Sequence, residues 1–373
     1  SILPNAITTQ LIQCRPYRNW MHLFKLRGVT RMEHVHTTIH EKPQEGIASV
    51  AQRIAKVIRE REASGKKTVL SLASGRSMRD IFVELVRLHK EEGLSFKHVI
   101  IFGSYEFYPL SDKSLGSMAQ IQSQLIDHID ILPENVHTFP GDLPKETVFT
   151  FCEEYEKAIV EAGGIDIQVL GIGQCGNIAM NEPGTQPNSS TRLVIMDNNS
   201  RVDAKSLFGN VAQVPTCAIT LGIETILKAK EVILVAFGQH KAGIVKQAIE
   251  EVASAECPAS YLQLHKNASI VLDLDAATKL TRINHPWKVT NCEWTDQLVR
   301  RAVVWLCEQT KKPILKLTNK DYNDFGLSEL ITKYDSAYKC NIKVFNDLQH
   351  TITGWPGGKP ISFNEYSEKD RKL

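Results

Sequence analysis

The chain has 373 residues, 42% of them hydrophobic and 23% charged, with a formal net charge of +2. That length can bury a large core in one domain or two, and acids and bases are mixed throughout, as in VRLHKEEG (86–93), which excludes the basic footprint of a nucleic-acid binder. No apolar run reaches the ~18–20 residues that cross a bilayer, and the eight scattered cysteines, with no CxxC and no close histidine pairing, exclude zinc-finger spacing.

SILPNAITTQLIQCRPYRNW (1–20) has neither an initiator Met nor the charged start and apolar centre of a signal peptide. Free thiols then point to a reducing compartment, and a cytoplasmic location is expected. Residues 1–45 carry no regular pattern and are predicted to be an irregular arm. Within it His34, His36 and His40 lack a carboxylate or cysteine to complete a metal site, so they are expected to be surface residues.

Regular periodicity begins near 46. EGIASVAQRIAKVIREREASG (45–65) has helical spacing and a glycine stop. KTVLSL (67–72) is an apolar run that breaks into the turn ASGRS (73–77), followed by the helical MRDIFVELVRLHKEEG (78–93). KHVIIFG (97–103) predicts a second strand, SMAQIQSQLIDHI (117–129) and TVFTFCEEYEKAIVEAGG (147–164) predict helices, and IDIQVLGIG (165–173) a third strand. TRLVIMD (191–197), EVILVAFG (231–238) and SIVLDLDAATKL (269–280) continue the strands, with a helix over 239–254. Short apolar strands alternating with helices indicate an α/β fold, a doubly wound, mostly parallel sheet with helices on both faces. Ligands of such folds sit outside the carboxyl ends of the strands, here ASGRS, GSYEFYPL and GIGQCGN.

The character changes near 283. WTDQLVRRAVVWLCEQT (294–310), DYNDFGLSELITKY (321–334) and a stretch to about 349 read as helices. The expected division is therefore an α/β domain over 46–282, a helical extension over 283–350, and a Pro-, Gly- and charge-rich, linker-like tail over 351–373.

GIGQCG (171–176) matches G-x-G-x-x-G after a strand, but a dinucleotide fingerprint must open a helix. NIAMNEPG follows instead, and Pro183 leaves no room for one. ASGRS sits at a strand-to-helix turn where free backbone N–H groups and two hydroxyls can hold an anion, though a purely structural turn uses the same residues.

Taken together, SLASGRS (71–77), LSFKHVIIFGSYEFYPL (94–110), LGIGQCGNIAMNEPG (170–184), SSTRL (189–193), FGQHKA (237–242) and YLQLHKNA (261–268) resemble the glucosamine-6-phosphate deaminase (isomerising) family. The related gluconolactonases share the fold, but SFKHV, NEPG and LQLH favour the deaminase branch. The resemblance implies a sugar-phosphate ligand, ring opening, proton transfer between C2 and C1, release of ammonia and a closed homo-oligomer; nothing in the sequence calls for a metal or an organic cofactor.

The resemblance also marks departures. Where the family has a base in F-N-M-D-E-Y, this chain reads F-G-S-Y-E-F, so Tyr105 replaces the base and Glu106 is retained beside it. Where the family has G-N-D-G-H, this chain reads G-Q-C-G-N, placing Cys175 and Asn177 at the aspartate and histidine positions. Only Glu182 of that relay remains. The implied phosphate contacts are better kept, at Ser74, Gly75, Ser77 and Lys241, with Arg76 in place of a glycine; an arginine expected near 206 is absent. An effector site would keep Arg192 but has Val194 where a basic residue is expected.

WTDQLVRRAVVWL, ILKLTNKDYN and DLQHTITGWPGGKP are similar to an extension that leads, in long deaminase-like proteins, into a deacetylase-like domain. Two readings stay open: an isomerase/deaminase with a rebuilt or weakened relay, and a non-catalytic sugar-phosphate binder.

Overall fold

The structure, a computed structural model, describes residues 32–353 and divides into two units between Ile283 and Asn284. In the first unit seven strands form a parallel sheet: β1 (His36–His40), β2 (Thr68–Leu72), β3 (Val99–Gly103), β5 (Val136–His137), β6 (Ile167–Gly171), β9 (Glu231–Ala236) and β10 (Ala268–Asp273), in the order β1-β10-β9-β6-β2-β3-β5. Three more, β4 (Tyr105–Tyr108), β7 (Arg192–Ile195) and β8 (Cys217–Thr220), make a separate antiparallel sheet in the order β4-β8-β7.

The parallel sheet is covered on both faces, and the sequence shows why. Along each central strand consecutive apolar residues point to opposite sides. Leu70, Leu72, Ile101, Val169 and Ile233 face α1 (Pro43–Ala63), α2 (Arg76–Glu92) and α3 (Ser117–Gln124). Val69, Phe102, Leu170, Leu234 and Ile270 belong to the other core cluster, with Cys152 and Tyr155 of α4 (Val148–Glu161) and Val245 and Ile249 of α7. A fifth helix, α5 (Asn198–Phe208), and a short α6 (Ile223–Leu227) flank β8 in sequence; α7 spans Ala242–Glu250.

Chain order explains the crevice. After β2 the chain builds β3 and β5 on one side, then returns to place β6 on the other side of β2. This reversal between β2 and β6 is the topological switch point where α/β folds leave a ligand crevice.

Two expectations are corrected. The predicted irregular arm over 1–45 is regular at its end: His36–His40 pairs in parallel with Ser269–Asp273, and α1 starts at Pro43, which suits a helix's first turn. The remainder of that arm, residues 1–31, lies outside the described residues. GSYEFYPL, expected to be a strand-end loop, holds β4 of the second sheet. The other strands and helices predicted for this unit appear with shifted ends, the strand read over 269–280 stopping at Asp273 and giving way to a short helix over Leu274–Ala277.

The second unit is helical, with α8 (Asp296–Thr310), α9 (Asn319–Asp324), α10 (Ser328–Tyr334) and α11 (Ala337–Thr353) around Val303, Leu306, Tyr322, Leu330 and Cys340. The single helix read over 321–334 is two, because Gly326 takes a left-handed φ of 74° between them. Helix α11 runs into the expected tail as far as Thr353; residues 354–373 lie outside the described residues. Among the described residues no helix is long and apolar enough to cross a membrane, no group of His, Cys, Asp and Glu has the arrangement of a metal site, and the seven cysteines are free.

Candidate functional site

Three turns at the carboxyl ends of β2, β6 and β9 converge at the switch point. After β2, Gly75 takes φ 129°, a conformation that suits glycine, and α2 starts at Arg76. No side chain caps this helix, so its first-turn N–H groups keep their capacity for an anion. Ser74 and Ser77 are half-buried and Gly75 and Arg76 exposed. The Ser74 hydroxyl lies 2.8 Å from the Tyr105 hydroxyl.

After β9, Gly238 (φ 89°) donates its N–H to the Asp273 carboxylate at 3.0 and 3.1 Å, which fixes the turn that presents Lys241. Lys241 Nζ donates to the Ile172 carbonyl at 2.9 Å. Burial lowers the pKa of this ammonium; the Asp203 charge opposes that effect and Arg76 adds to it. Arg76, Lys241 and Asp203 therefore share one field, and the turn at 74–77 and Lys241 are brought together as the sequence implied.

The loop after β6 closes on itself, with Gly173 N–H donating to Asn177 O (2.9 Å) and Gly176 N–H to Gly173 O (3.1 Å). No helix follows, in keeping with the Pro183 argument against a dinucleotide site. The side chain of Asn177, 9% exposed, is folded into the loop: a Cβ on Gly173 would stand 1.9 Å from its Oδ1. Asn177 thus fills the loop rather than opening into the crevice. Cys175 Sγ is half-buried and accepts from Asn199 Nδ2 at 3.4 Å. Glu182 Oε1 accepts from Asp197 N–H at 3.3 Å, while its Oε2 is buried without a hydrogen-bond partner among the described residues. Burial raises the Glu182 pKa, the nearby Ser200 hydroxyl pulls it down, and Asp197 and Asp203 push it up.

Tyr105 and Glu106 sit side by side on β4 with different surroundings. Burial raises the Tyr105 phenol above its ordinary range, so it stays protonated and can donate a hydrogen bond but is poorly placed to take a proton. Glu106, 3% exposed, accepts backbone N–H bonds from Phe107 (2.8 Å), Ser117 (2.7 Å) and Met118 (2.9 Å). Its carboxylate caps α3, and both oxygens are taken up by that task; the sequence placed it among the catalytic candidates because it adjoins Tyr105. Burial nonetheless raises its pKa against the pull of those three bonds.

Sequence reasoning passed over three residues that the structure brings here. Gln174 Nε2 donates to Asp203 Oδ1 at 2.8 Å, and Asn199 bonds Cys175, so one face of α5 is laced to the loop. The spacing of Asn199 and Asp203, four apart on a helix, was the available signal. Arg192, at the expected effector position, donates to Asn181 Oδ1 (3.0 Å), Ser190 O (3.2 Å) and Thr185 Oγ1 (3.3 Å). It lines a groove of about 490 Å³ together with Glu182, Thr185, Val194 and Ile195.

The fold has counterparts among known proteins, and comparison gives the chain its family. Residues 41–271 match the profile of the glucosamine-6-phosphate isomerase/6-phosphogluconolactonase family, and the chain belongs to that family. A glucosamine-6-phosphate deaminase-like protein of Bacteroides thetaiotaomicron is 49% identical over 99% of this chain, which spans 56% of that relative's length. The glucosamine-6-phosphate deaminase of Shewanella woodyi is 40% identical over 63% of this chain and 88% of its own. Among solved structures, a monomeric glucosamine-6-phosphate deaminase superimposes with a TM-score of 0.62 at 31% identity, covering 65% of this chain and 99% of that one. The 6-phosphogluconolactonase of Trypanosoma brucei shares the fold, with a TM-score of 0.54 at 20% identity over 66% of this chain and 98% of its own.

Proposed function

We propose that the crevice binds an amino-sugar phosphate and that ordinary deamination to fructose 6-phosphate and ammonia is weak or altered. One observation carries this reading: Arg76 and Lys241 share a field beside the uncapped start of α2, while the positions that should move protons hold Tyr105, Cys175 and Asn177. The helix N–H groups, Arg76 and Lys241 would hold the phosphate, with the Ser74 and Ser77 hydroxyls beside them.

The chemistry needs a base to remove the C2 proton beside the C1 carbonyl, and an acid to open the ring. A phenol that burial keeps protonated is a poor base, and an amide folded into its loop does not titrate. Glu182 is what remains of the family's relay, with an Oε2 buried without a hydrogen-bond partner among the described residues and a pKa that burial raises. It would serve as the acid/base of a slow or rerouted reaction. Losing several members of a proton relay leaves little of its rate whichever went first.

Proton NMR of glucosamine 6-phosphate with the pure protein tests both halves. Saturation transfer with slow or no product is the expected result; product at the rate of an ordinary enzyme removes the weakened relay, and neither signal removes this sugar. The triple variant Tyr105→Asp, Cys175→Asp, Asn177→His should gain activity if only the proton carriers differ. A closed homo-oligomer belongs to the same proposal, and light scattering at the mass of one chain would remove it.

A further inference from the structure

The crevice is not uniformly cationic. Helix α5 brings a carboxylate, Asp203, to the same few loop residues that hold Lys241: Gln174 Nε2 donates to Asp203 Oδ1 at 2.8 Å, and Lys241 Nζ donates to Ile172 O at 2.9 Å, with Gly173 between them in sequence. Asp203 Oδ1 is held by that one bond, and Oδ2 has no hydrogen-bond partner among the described residues. Asn199, one turn earlier, bonds Cys175, so the helix face carrying Asp203 is fixed toward the loop at two points.

We propose that Asp203 is the specificity-determining residue of this crevice, selecting a sugar phosphate that carries a free ammonium over its neutral and N-acylated counterparts. The inference rests on the reading that the crevice holds a sugar phosphate.

The physical argument is one of sign. A phosphate dianion drawn to Arg76, Lys241 and the start of α2 comes close to a fixed negative charge. A neutral sugar phosphate brings only that anion and is repelled by Asp203. A hexosamine phosphate also brings a cation on its ring, which the free Asp203 oxygen attracts. N-acylation removes the cation and leaves the repulsion. Discrimination thus uses an attractive and a repulsive element together. Asp203 is exposed at the loop, and its charge acts on both Lys241 and Glu182.

Titration calorimetry at fixed salt with glucosamine 6-phosphate, N-acetylglucosamine 6-phosphate, glucose 6-phosphate and inorganic phosphate tests this. The wild type should prefer glucosamine 6-phosphate to glucose 6-phosphate by about 10-fold, the equivalent of ~1.4 kcal/mol. In Asp203→Asn, which keeps an acceptor for Gln174, the preference should fall below about 2-fold, with glucose 6-phosphate itself binding more tightly. Asp203→Ser gives a second reading, with circular dichroism confirming that both variants are folded. A preference that survives both substitutions, or equal binding of the sugars by the wild type, overturns the role of Asp203 and leaves the sugar-phosphate reading intact. Failure of the wild type to bind any of the sugar phosphates overturns that reading, and this inference with it.

Discussion

Glu182 Oε2 is buried with no hydrogen-bond partner among the described residues, although the Ser200 hydroxyl lies near the carboxylate. Its folded pKa is raised above the ordinary 4.5, so between that value and the raised one the native state binds more protons than the unfolded chain. Stability must then fall as pH rises through that window. Glu182→Gln removes the buried charge, and its melting temperature should exceed that of the wild type at neutral pH. The gap should close as pH drops toward the ordinary carboxylate range; a gap that is the same at every pH would show that the charge is not the cause. Glu106 behaves in the opposite way under the same substitution. In Glu106→Gln an NH₂ replaces one acceptor oxygen of the α3 cap and faces a backbone N–H. The loss should be about 2–3 kcal/mol, read as a shifted urea midpoint; an unchanged midpoint would sink the capping role. Both residues are glutamates beside altered catalytic positions, and nothing in their one-dimensional surroundings separates them. Only the direction each side chain takes from its strand or loop does so.

At the scale of elements, the loop between β6 and the segment at Glu182 is held by its own groups. Gly173→Ala puts a Cβ where Asn177 Oδ1 already lies, which overpacks the loop at a cost of about 1–3 kcal/mol. Hydrogen exchange should locate the loss at residues 171–178, and normal protection there would contradict the packing. The parallel strands and their helices were legible because short, almost wholly apolar runs, such as VLSL and VIIF, leave no solvated face and demand cover on both sides. The antiparallel sheet was not legible as a separate element. Tyr105–Tyr108 and Cys217–Thr220 are four residues each and more than a hundred apart, and only their pairing identifies them. Edge strand β1 was missed for a similar reason, since HTTIH has no apolar run and its partner lies over two hundred residues on.

Across the whole chain, each unit carries its own core. Leu306 is fully buried among Val303, Tyr322, Leu330 and Cys340 in the helical unit. Leu306→Ala should cost about 2–5 kcal/mol and lower hydrogen-exchange protection in α8–α11; losses that fell only in the α/β unit would refute a separate core. The division near 283 was visible in the sequence as a change from alternating strand and helix patterns to helices alone.

The sequence by itself determined the α/β class, through its periodicity, and the family, through segments that resemble it, because such patterns are local properties that survive in one dimension. Tertiary structure alone decided that Glu106 caps a helix, that Asn177 fills its own loop, and that Asp203 stands near Lys241. Those outcomes depend on where distant elements meet, and a carboxylate's role is set by whether backbone N–H groups, a cation or nothing at all waits at that meeting point.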